Sequence, residues 1–521
     1  IGSILWLLCC SQPQGIRGRP VTQSIPRKWE MNLFFARFSC GSRVGSRLVP
    51  QDCSPYHPAA VGHPEAPQSM ATSYHVNDFV DGQRITGFNV KLLIWSFLTM
   101  FADGFDLNSL GFAAPELTRM WGVERSAMGP VLSANLLGIF FGAPLLGWLG
   151  DRHGRRPLII FGTLLYGIMT LLMAYSTTME QMMLLRFVAG IGIGGIMPNT
   201  ISLNSELTPK RYRSALIVLM FMGITTGSTA VGLVATGFLA EHGWPIIFQV
   251  GGVLPLVVGL ALVFTLPESL KLLAIRPGRR AELLATARRM RPDLAIADDA
   301  QFVNPAIVAE SEGRVTELFK GGLLWITPLL WTCFAIALMA NFFLNNTLPL
   351  IYDNYGIDAQ EAAITATMYH AGGILGGLLL SALLDRMGFS IVVIMFALAL
   401  PAMMLLGMQS LGFTVLAGVS GIAGIAVLGA QFGNNAAAGL LYPTSIRGKG
   451  VGIALSVGRL GAILGPNVGA LLLGMNLPMQ TLFIVATLPV LIGLVASILL
   501  SWLCFRRFNS FQLDDTPVRD S

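Results

Sequence analysis

The chain alternates long apolar runs with short polar stretches, and the spacing of the runs predicts about twelve membrane-spanning helices. A helix needs roughly 20 predominantly apolar residues to cross a bilayer. Turn and charge signals bound such runs at about 90–113, 127–149, 157–176, 182–204, 215–239, 245–266, 323–348, 362–384, 390–409, 411–437, 449–473 and 480–504. The longest polar interruption, Pro267 to Gly322, divides them six and six. The expected organisation is a lead at 70–89, a six-helix half at 90–266, a central loop at 267–322, a second half at 323–504 and a tail at 505–521.

One run breaks its own pattern. Between Leu92 and Ala114, the stretch Phe101-Ala102-Asp103-Gly104-Phe105-Asp106 sets two carboxylates in apolar surroundings. A charged side chain near the bilayer centre costs about 2.5–3.5 kcal/mol on insertion scales, so it faces a bundle interior or a water-filled cavity. Asp103 and Asp106 are spaced i, i+3 and share one helix face. Two carboxylates held out of water side by side are the chemistry of a proton carrier. A structural ion pair, or a cap on a helix broken at Gly104, is the competing reading.

Composition sharpens the class. Over 521 residues the chain is 53% hydrophobic and 12% charged, against about 25% charged in soluble domains, and its mean hydropathy is +0.65. The sequence is that of an integral membrane protein. Its basic residues lie in short loops, so the pI of about 9.1 reflects membrane topology, and no nucleic-acid partner is expected. Arg152, Arg155 and Arg156, then Lys210, Arg211 and Arg213, then Lys271 through Arg291, follow even-numbered spans, as do Arg386, Arg447 and Lys449, and Arg506 and Arg507. The other loops hold mostly acids, including Asp353, so both termini are expected in the cytoplasm. Of six cysteines only Cys333 and Cys504 fall in predicted helices, and no metal-ligand spacing occurs.

Residues 1–69 differ from the rest, with seven Lys and Arg against three acids and no helix-length apolar run. They are expected to be translated upstream sequence or a disordered extension ahead of Met70.

An internal repeat defines the architecture. Asp151-Arg152-His153-Gly154 returns as Asp385-Arg386-Met387-Gly388, an offset of 234 residues, and the same offset takes Pro209 to Pro443, Arg213 to Arg447 and Gly227 to Gly461. Two parallel six-helix halves related by an axis along the membrane normal form a transporter, with its site near the midplane between them.

Four motifs carry candidate chemistry. The loop Gly147-Trp148-Leu149-Gly150-Asp151-Arg152-His153-Gly154-Arg155-Arg156 permits a tight turn, and Asp151 is placed to meet a helix N-terminus or an arginine of the other half. A plain cytoplasmic basic loop is the alternative. In span 4, Arg186 precedes Gly190-Ile191-Gly192-Ile193-Gly194-Gly195, small residues suited to close helix packing, and Glu206 ends the span as a gate partner or a solvated helix end. In span 11, Arg459 of Gly458-Arg459-Leu460-Gly461-Ala462 lies about ten residues into the apolar run, where a guanidinium suits bidentate capture of a carboxylate or an internal salt bridge. His370 with Tyr369, Asn341, Asn345 and Asn346, and Gln431, Asn434 and Asn435 are softer candidates for bonding a ring hydroxyl, with helix packing as their alternative.

The loop at 147–156 resembles the signature loop of the major facilitator superfamily, and the span-4 pattern is similar to that superfamily's fourth helix. With Asp103-Gly104-Phe105-Asp106, Pro267-Glu268-Ser269, Tyr442-Pro443-Thr444 and Gly458-Arg459-Leu460-Gly461-Ala462, the chain resembles its aromatic acid:proton symporter family from about Asn89 to Arg507. The resemblance implies an all-α membrane protein of twelve transmembrane helices in two six-helix pseudo-repeats. It implies uptake of benzoate-type anions into bacterial aromatic degradation across the inner membrane. It also implies that Arg186 biases a neighbouring carboxylate toward its charged form. The second loop, ending Gly388-Phe389-Ser390, lacks the basic tail of the first, so the two gates are not expected to be equivalent.

The expectation is a proton-coupled importer of an aromatic carboxylate working by alternating access, not an enzyme. It assigns the proton to Asp103 and Asp106, and the substrate to Arg459, His370, Asn341 and Asn345. Gating falls to Asp151, Arg152, Arg155, Arg156, Arg186, Glu206, Asp385, Arg386 and Arg447. The proton is its coupling ion, with no cofactor or metal, the lipid bilayer is its surroundings, and the chain is expected to act as a monomer. The rivals are a sugar or other organic-anion symporter, since Pro267-Glu268-Ser269 also resembles a sugar-porter signature, and a non-transporting nutrient sensor on the same scaffold.

Overall fold

The computed structural model describes residues 73–276, 278–303, 315–320, 323–408, 410–442 and 447–508. The side chains at 214–215, 218, 315, 381–382, 384–386, 439–440, 447–448 and 507–508 also lie outside the description. Contacts divide the chain into Ile1–Gln68 and Ser69–Ser521. The first unit, with the expected extension, lies outside the described residues, and everything below concerns the second.

Among the described residues, twelve long helices follow one another: α1 Gly87–Trp121, α2 Met128–His153, α3 Arg155–Met173, α4 Met179–Leu207, α5 Lys210–His242, α6 Pro245–Thr265, α7 Leu323–Asn354, α8 Ala359–Met387, α9 Ser390–Leu406, α10 Phe413–Leu441, α11 Arg447–Gly474 and α12 Met479–Phe508. Ten are long and apolar enough to cross a membrane. α9 is apolar but 17 residues long. α1 has 35 residues, and its apolar run is interrupted by Asp103, Asp106, Asn108 and Ser109.

Local chemistry sets the ends of α1. The Asn89 side chain accepts from Thr86 N at 3.1 Å in a reciprocal capping box, and Gly122 ends the helix at φ 62°. The helix is continuous through Gly104, so a helix broken there, one of the sequence readings, is ruled out. Gly104 is instead a close-packing point. A Cβ there would collide with the backbone of Ile224 on α5, and only glycine lets the two helices approach this far.

The repeat offset is visible in the packing. Gly227 of α5 packs on Phe101 of α1, and 234 residues later Gly461 of α11 packs on Ala335 of α7. Gly142 meets Ile191 across α2 and α4, and Gly376 meets Ile425 across α8 and α10. Each half is one instance of the same six-helix arrangement.

The halves touch along three helix pairs. α1 meets α7 where a Cβ on Gly111 would stand 2.9 Å from the Asn345 carbonyl oxygen. α2 meets α11 where Asn467 Nδ2 donates to Ser133 Oγ at 2.7 Å, and Ser133 Oγ donates to Ile463 O at 3.1 Å. α5 meets α8 at Gly232 and Thr367. All three lie toward the end of the bundle away from the 147–156 loop. Toward the loop end, α11 leaves α2, and Gly452 and Ser456 are exposed.

The lead and central loop build a small clasp. Strand β1 Ser73–His75 pairs in parallel with β2 Gln301–Val303. Helix Val76–Asp81 buries Val76, Phe79 and Val80 in one apolar cluster with Leu283, Leu284, Ala287 and Met290 of helix Arg280–Met290. Phe79 and Phe302 meet edge to face at 5.2 Å, and Arg291 lies over Phe79 at 5.7 Å. Hydrogen bonds from Arg291 also hold the Asp293 carboxyl below its usual range.

Candidate functional site

Asp106 is fully buried within the first half. Thr170 Oγ1 of α3 donates to its Oδ1 at 2.5 Å, and Asn135 Nδ2 of α2 donates to its Oδ2 at 3.3 Å. Arg186 of α4, 1% exposed, lies 3.8 Å from Oδ2 and donates to Asp106 O and Ser109 Oγ at 3.2 Å each. Four helices therefore converge on one neutral charge pair. Removing one partner of such a pair costs about 3–5 kcal/mol.

Asp103, one turn away and 3% exposed, makes no hydrogen bond or ion pair among the described residues. The nearby amide of Asn108 is already committed, donating to Gly104 O at 2.8 Å and Ser228 Oγ at 2.6 Å. The two acids, equal in the sequence, are thus unequal in surroundings. Neither reaches the other half.

In the second half, Arg459 stands just below the seam, one turn before Ile463, where α11 begins to leave α2. It makes no ion pair or hydrogen bond among the described residues and is partly buried. At the seam itself lies a groove of about 400 Å³, lined by Ser133, Ile463 and Asn467 and by the apolar Leu137, Leu184 and Phe187, and Arg459 is not part of its lining. Arg459 is a free cation at the meeting point of the halves, and an anion is its natural complement.

The softer candidates separate into a chain and two isolated groups. Tyr369 Oη donates to Asn341 Oδ1 at 2.9 Å, and Asn341 Nδ2 donates to Gln431 Oε1 at 3.0 Å, tying α8 to α7 and α10. His370 is 2% exposed, lies edge-on to Tyr369 at 5.4 Å, and its Nε2 has no partner among the described residues. Asn345 sits at the α1–α7 crossing with Oδ1 likewise unpartnered.

At the loop end, the side chain that meets a helix N-terminus is Glu268, not Asp151. Glu268 Oε1 accepts from Arg155 N at 3.2 Å, Arg156 N at 3.4 Å and Ser269 N at 3.0 Å. Arg155 pairs with Glu206 at 2.7 Å, and Ser269 Oγ donates to Glu206. The Asp151 side chain is 71% exposed and, among the described residues, pairs only with Arg155, its i+4 neighbour, at 3.2 Å. The reason is geometric: among the described residues the contacts between the halves lie at the other end, and Asp151 meets no helix of the second half there. Arg152 lies over Trp148 at 5.6 Å, and Arg156 Nη2 donates to Val263 O at 2.5 Å. The side chains of Asp385, Arg386 and Arg447 lie outside the described residues.

At the opposite end, a pair absent from the sequence reading closes the seam. Asp353, its side chain 3% exposed at the end of α7, is ion-paired with Arg119 at the end of α1 and with Arg125 at 2.7 Å. Three further contacts escaped the sequence reading: those of Thr170 and Asn135, which hold Asp106, and those of Glu268 as a capping group. The repeat offers a signal for one of them, since Asn135 is the counterpart of Tyr369.

The family model of the Major Facilitator Superfamily matches residues 96–344 and 330–510. The chain is 34% identical over 438 residues to the 4-hydroxybenzoate transporter PcaK of Pseudomonas putida, covering 83% of this chain and 97% of that protein. It is 30% identical over 440 residues to the benzoate transport protein of Acinetobacter baylyi, covering 83% of this chain and 94% of that one. Among solved structures, a bacterial homolog of the lysosomal transporter Spinster, inward-facing and unoccupied, matches with a TM-score of 0.60 at 16% identity, over 83% of this chain and 100% of that one. The proton:xylose symporter XylE matches with a TM-score of 0.60 at 17% identity, over 80% of this chain and 95% of that one.

Proposed function

This chain belongs to the major facilitator superfamily, in the branch of the aromatic acid transporters, and from that membership we propose that it imports an aromatic carboxylate with a proton by alternating access. It is a multi-pass membrane protein. We place it in the inner membrane as a monomer with both termini in the cytoplasm, and no species other than the proton drives it.

Arg459 carries this reading. An unpaired guanidinium at the junction of two halves, open toward one end only, binds a monoanion and is reached from each side in turn as the halves rock. A sugar offers it no charge, which disfavours the sugar-porter alternative.

Asp103 takes the proton, because no cation stabilises its charge. Asp106 is the anchor, its charge balanced by Arg186. The closure at Asp353, at the end away from the 147–156 loop, supports reading this arrangement as inward-facing. The Arg155–Glu206–Glu268 cluster waits there to meet the second half on closure. Carrying one proton with one monoanion is electroneutral.

Equilibrium binding of labelled 4-hydroxybenzoate to the purified protein tests the assignment. Arg459→Gln is expected to weaken binding roughly 100-fold, the loss of about 3 kcal/mol of charge-assisted hydrogen bonding. Equal binding by Arg459→Gln would remove Arg459 from the site. No binding of any aromatic acid by the wild type would overturn the reading as a whole.

A further inference from the structure

We propose that Gln431 reads a ring oxygen of the substrate, so that this transporter prefers ring acids bearing a hydroxyl or methoxyl over the bare acid. The inference rests on the aromatic-acid reading above and on Arg459 as the carboxylate site.

One buried proton has one place to go. The Tyr369 hydroxyl is buried, at 1% exposure, and Asn341 Oδ1 is its one acceptor among the described residues. A phenol O–H left undonated in such a site is costly. That bond fixes which way the Asn341 amide is turned. Its NH2 faces Gln431 and donates to Oε1, so the free end of the Gln431 amide is Nε2. Tyr369 and Asn341 orient Gln431 as a donor.

This donor is not a by-product of the fold. Under the 234-residue offset, Asn341 corresponds to Leu107 and Gln431 to Met197 in the first half. The same helices pack there with apolar residues at both positions. Gln431 also stays partly exposed, deep in a 29-residue helix, and its Nε2 has no partner among the described residues. A polar group that packing does not require, aimed by two buried ones, is a binding group.

The spacing fits a ring. Gly461 packs on Ala335 and Gly465 on Met339, so α7 and α11 run parallel, and Arg459 stands level with Cys333. Asn341 is eight residues further along α7, about 12 Å at the helical rise. An arginine side chain and one benzene ring together fill that length. With the carboxylate on Arg459, the far edge of the ring arrives at Gln431. A donor meets the lone pair of a hydroxyl or of a methoxyl oxygen there, and a bare C–H leaves it unpaired.

The test is uptake of benzoate, 4-hydroxybenzoate and 4-methoxybenzoate by proteoliposomes of the full chain, as wild type, Gln431→Leu and Tyr369→Phe. In Gln431→Leu the ratio of each oxygenated acid to benzoate should fall about tenfold. In Tyr369→Phe it should fall by a smaller factor, because Asn341 is then free to turn over. If Gln431→Leu fails to insert, Gln431→Met, matched in length, supplies the same ratio. Unchanged ratios overturn the role of Gln431 alone, since a merely structural glutamine would slow all three acids together. Failure of the wild type to accumulate any of the three overturns the aromatic-acid reading, and this inference with it.

Discussion

Arg119 and Asp353 are separated by 234 residues and form an ion pair. The separation equals the repeat offset, so the two occupy equivalent places in the two halves. Equivalent positions related by a two-fold axis touch only beside that axis. Gly111 and Asn345, also 234 apart, meet two turns earlier, so α1 and α7 cross at the axis and carry the ion pair at their shared end. One sequence position has become a cation in one copy and an anion in the other.

This pair, reinforced by Arg125, should act as the latch of the closed end. Asp353→Asn removes the charge shared by both arginines while keeping the side chain's size. It should raise the population open at that end roughly tenfold, equivalent to about 1.4 kcal/mol, read as spin-label distances across the α1–α7 ends. The exchange Arg119→Asp with Asp353→Arg should restore much of the closed population. An unchanged distance distribution in Asp353→Asn would show that packing alone holds this end.

Asp106 and Asp103 should separate by the kind of damage their loss does. Asp106→Asn strands Arg186 in a fully buried site and should cost about 3–5 kcal/mol of stability, seen as early thermal unfolding in detergent. Asp103→Asn removes a group with no partner and should unfold near the wild-type temperature. Equal destabilisation by the two would mean that Asp103 is held by contacts of comparable strength.

Glu268 should matter to the folded loop end more than Asp151 does. It accepts three backbone N–H bonds, two of them at the start of α3, where a capping group is worth about 0.5–2 kcal/mol. Glu268→Gln should lower the melting temperature measurably, and Asp151→Asn, at an exposed side chain, should not. The reverse ranking would assign the loop's stability to Asp151.

The helices were legible because apolar runs mark the bilayer, and the halves because the same loop occurs twice. The apolar runs stop where the hydrocarbon stops. Arg119 and Asp353 lie on helix ends beyond 113 and 348, in segments that looked like polar loop. The clasp was hidden for a related reason: Arg280–Met290 is too short and too charged to show a helical period clearly. Asp103 and Asp106 were found, but their difference was not, since it depends on Thr170, Asn135 and Arg186 arriving from three other helices. Offset arithmetic would have paired Arg119 with Asp353. It would also have shown that Asp103, Asp106 and Arg186 correspond to Ala337, Ala340 and Ser420 in the second copy. The repeat preserves the packing and not the chemistry, and on the proposed reading the proton belongs to one half and the substrate's anchor to the other.

The most direct test of coupled transport is accumulation of labelled 4-hydroxybenzoate by proteoliposomes under an imposed inward proton gradient, in wild type and Asp103→Asn. The wild type should accumulate the acid against its gradient. Asp103→Asn, inserted normally, should only exchange it across equal concentrations. Gradient-driven accumulation that survives in Asp103→Asn would contradict the account and move the proton to another group.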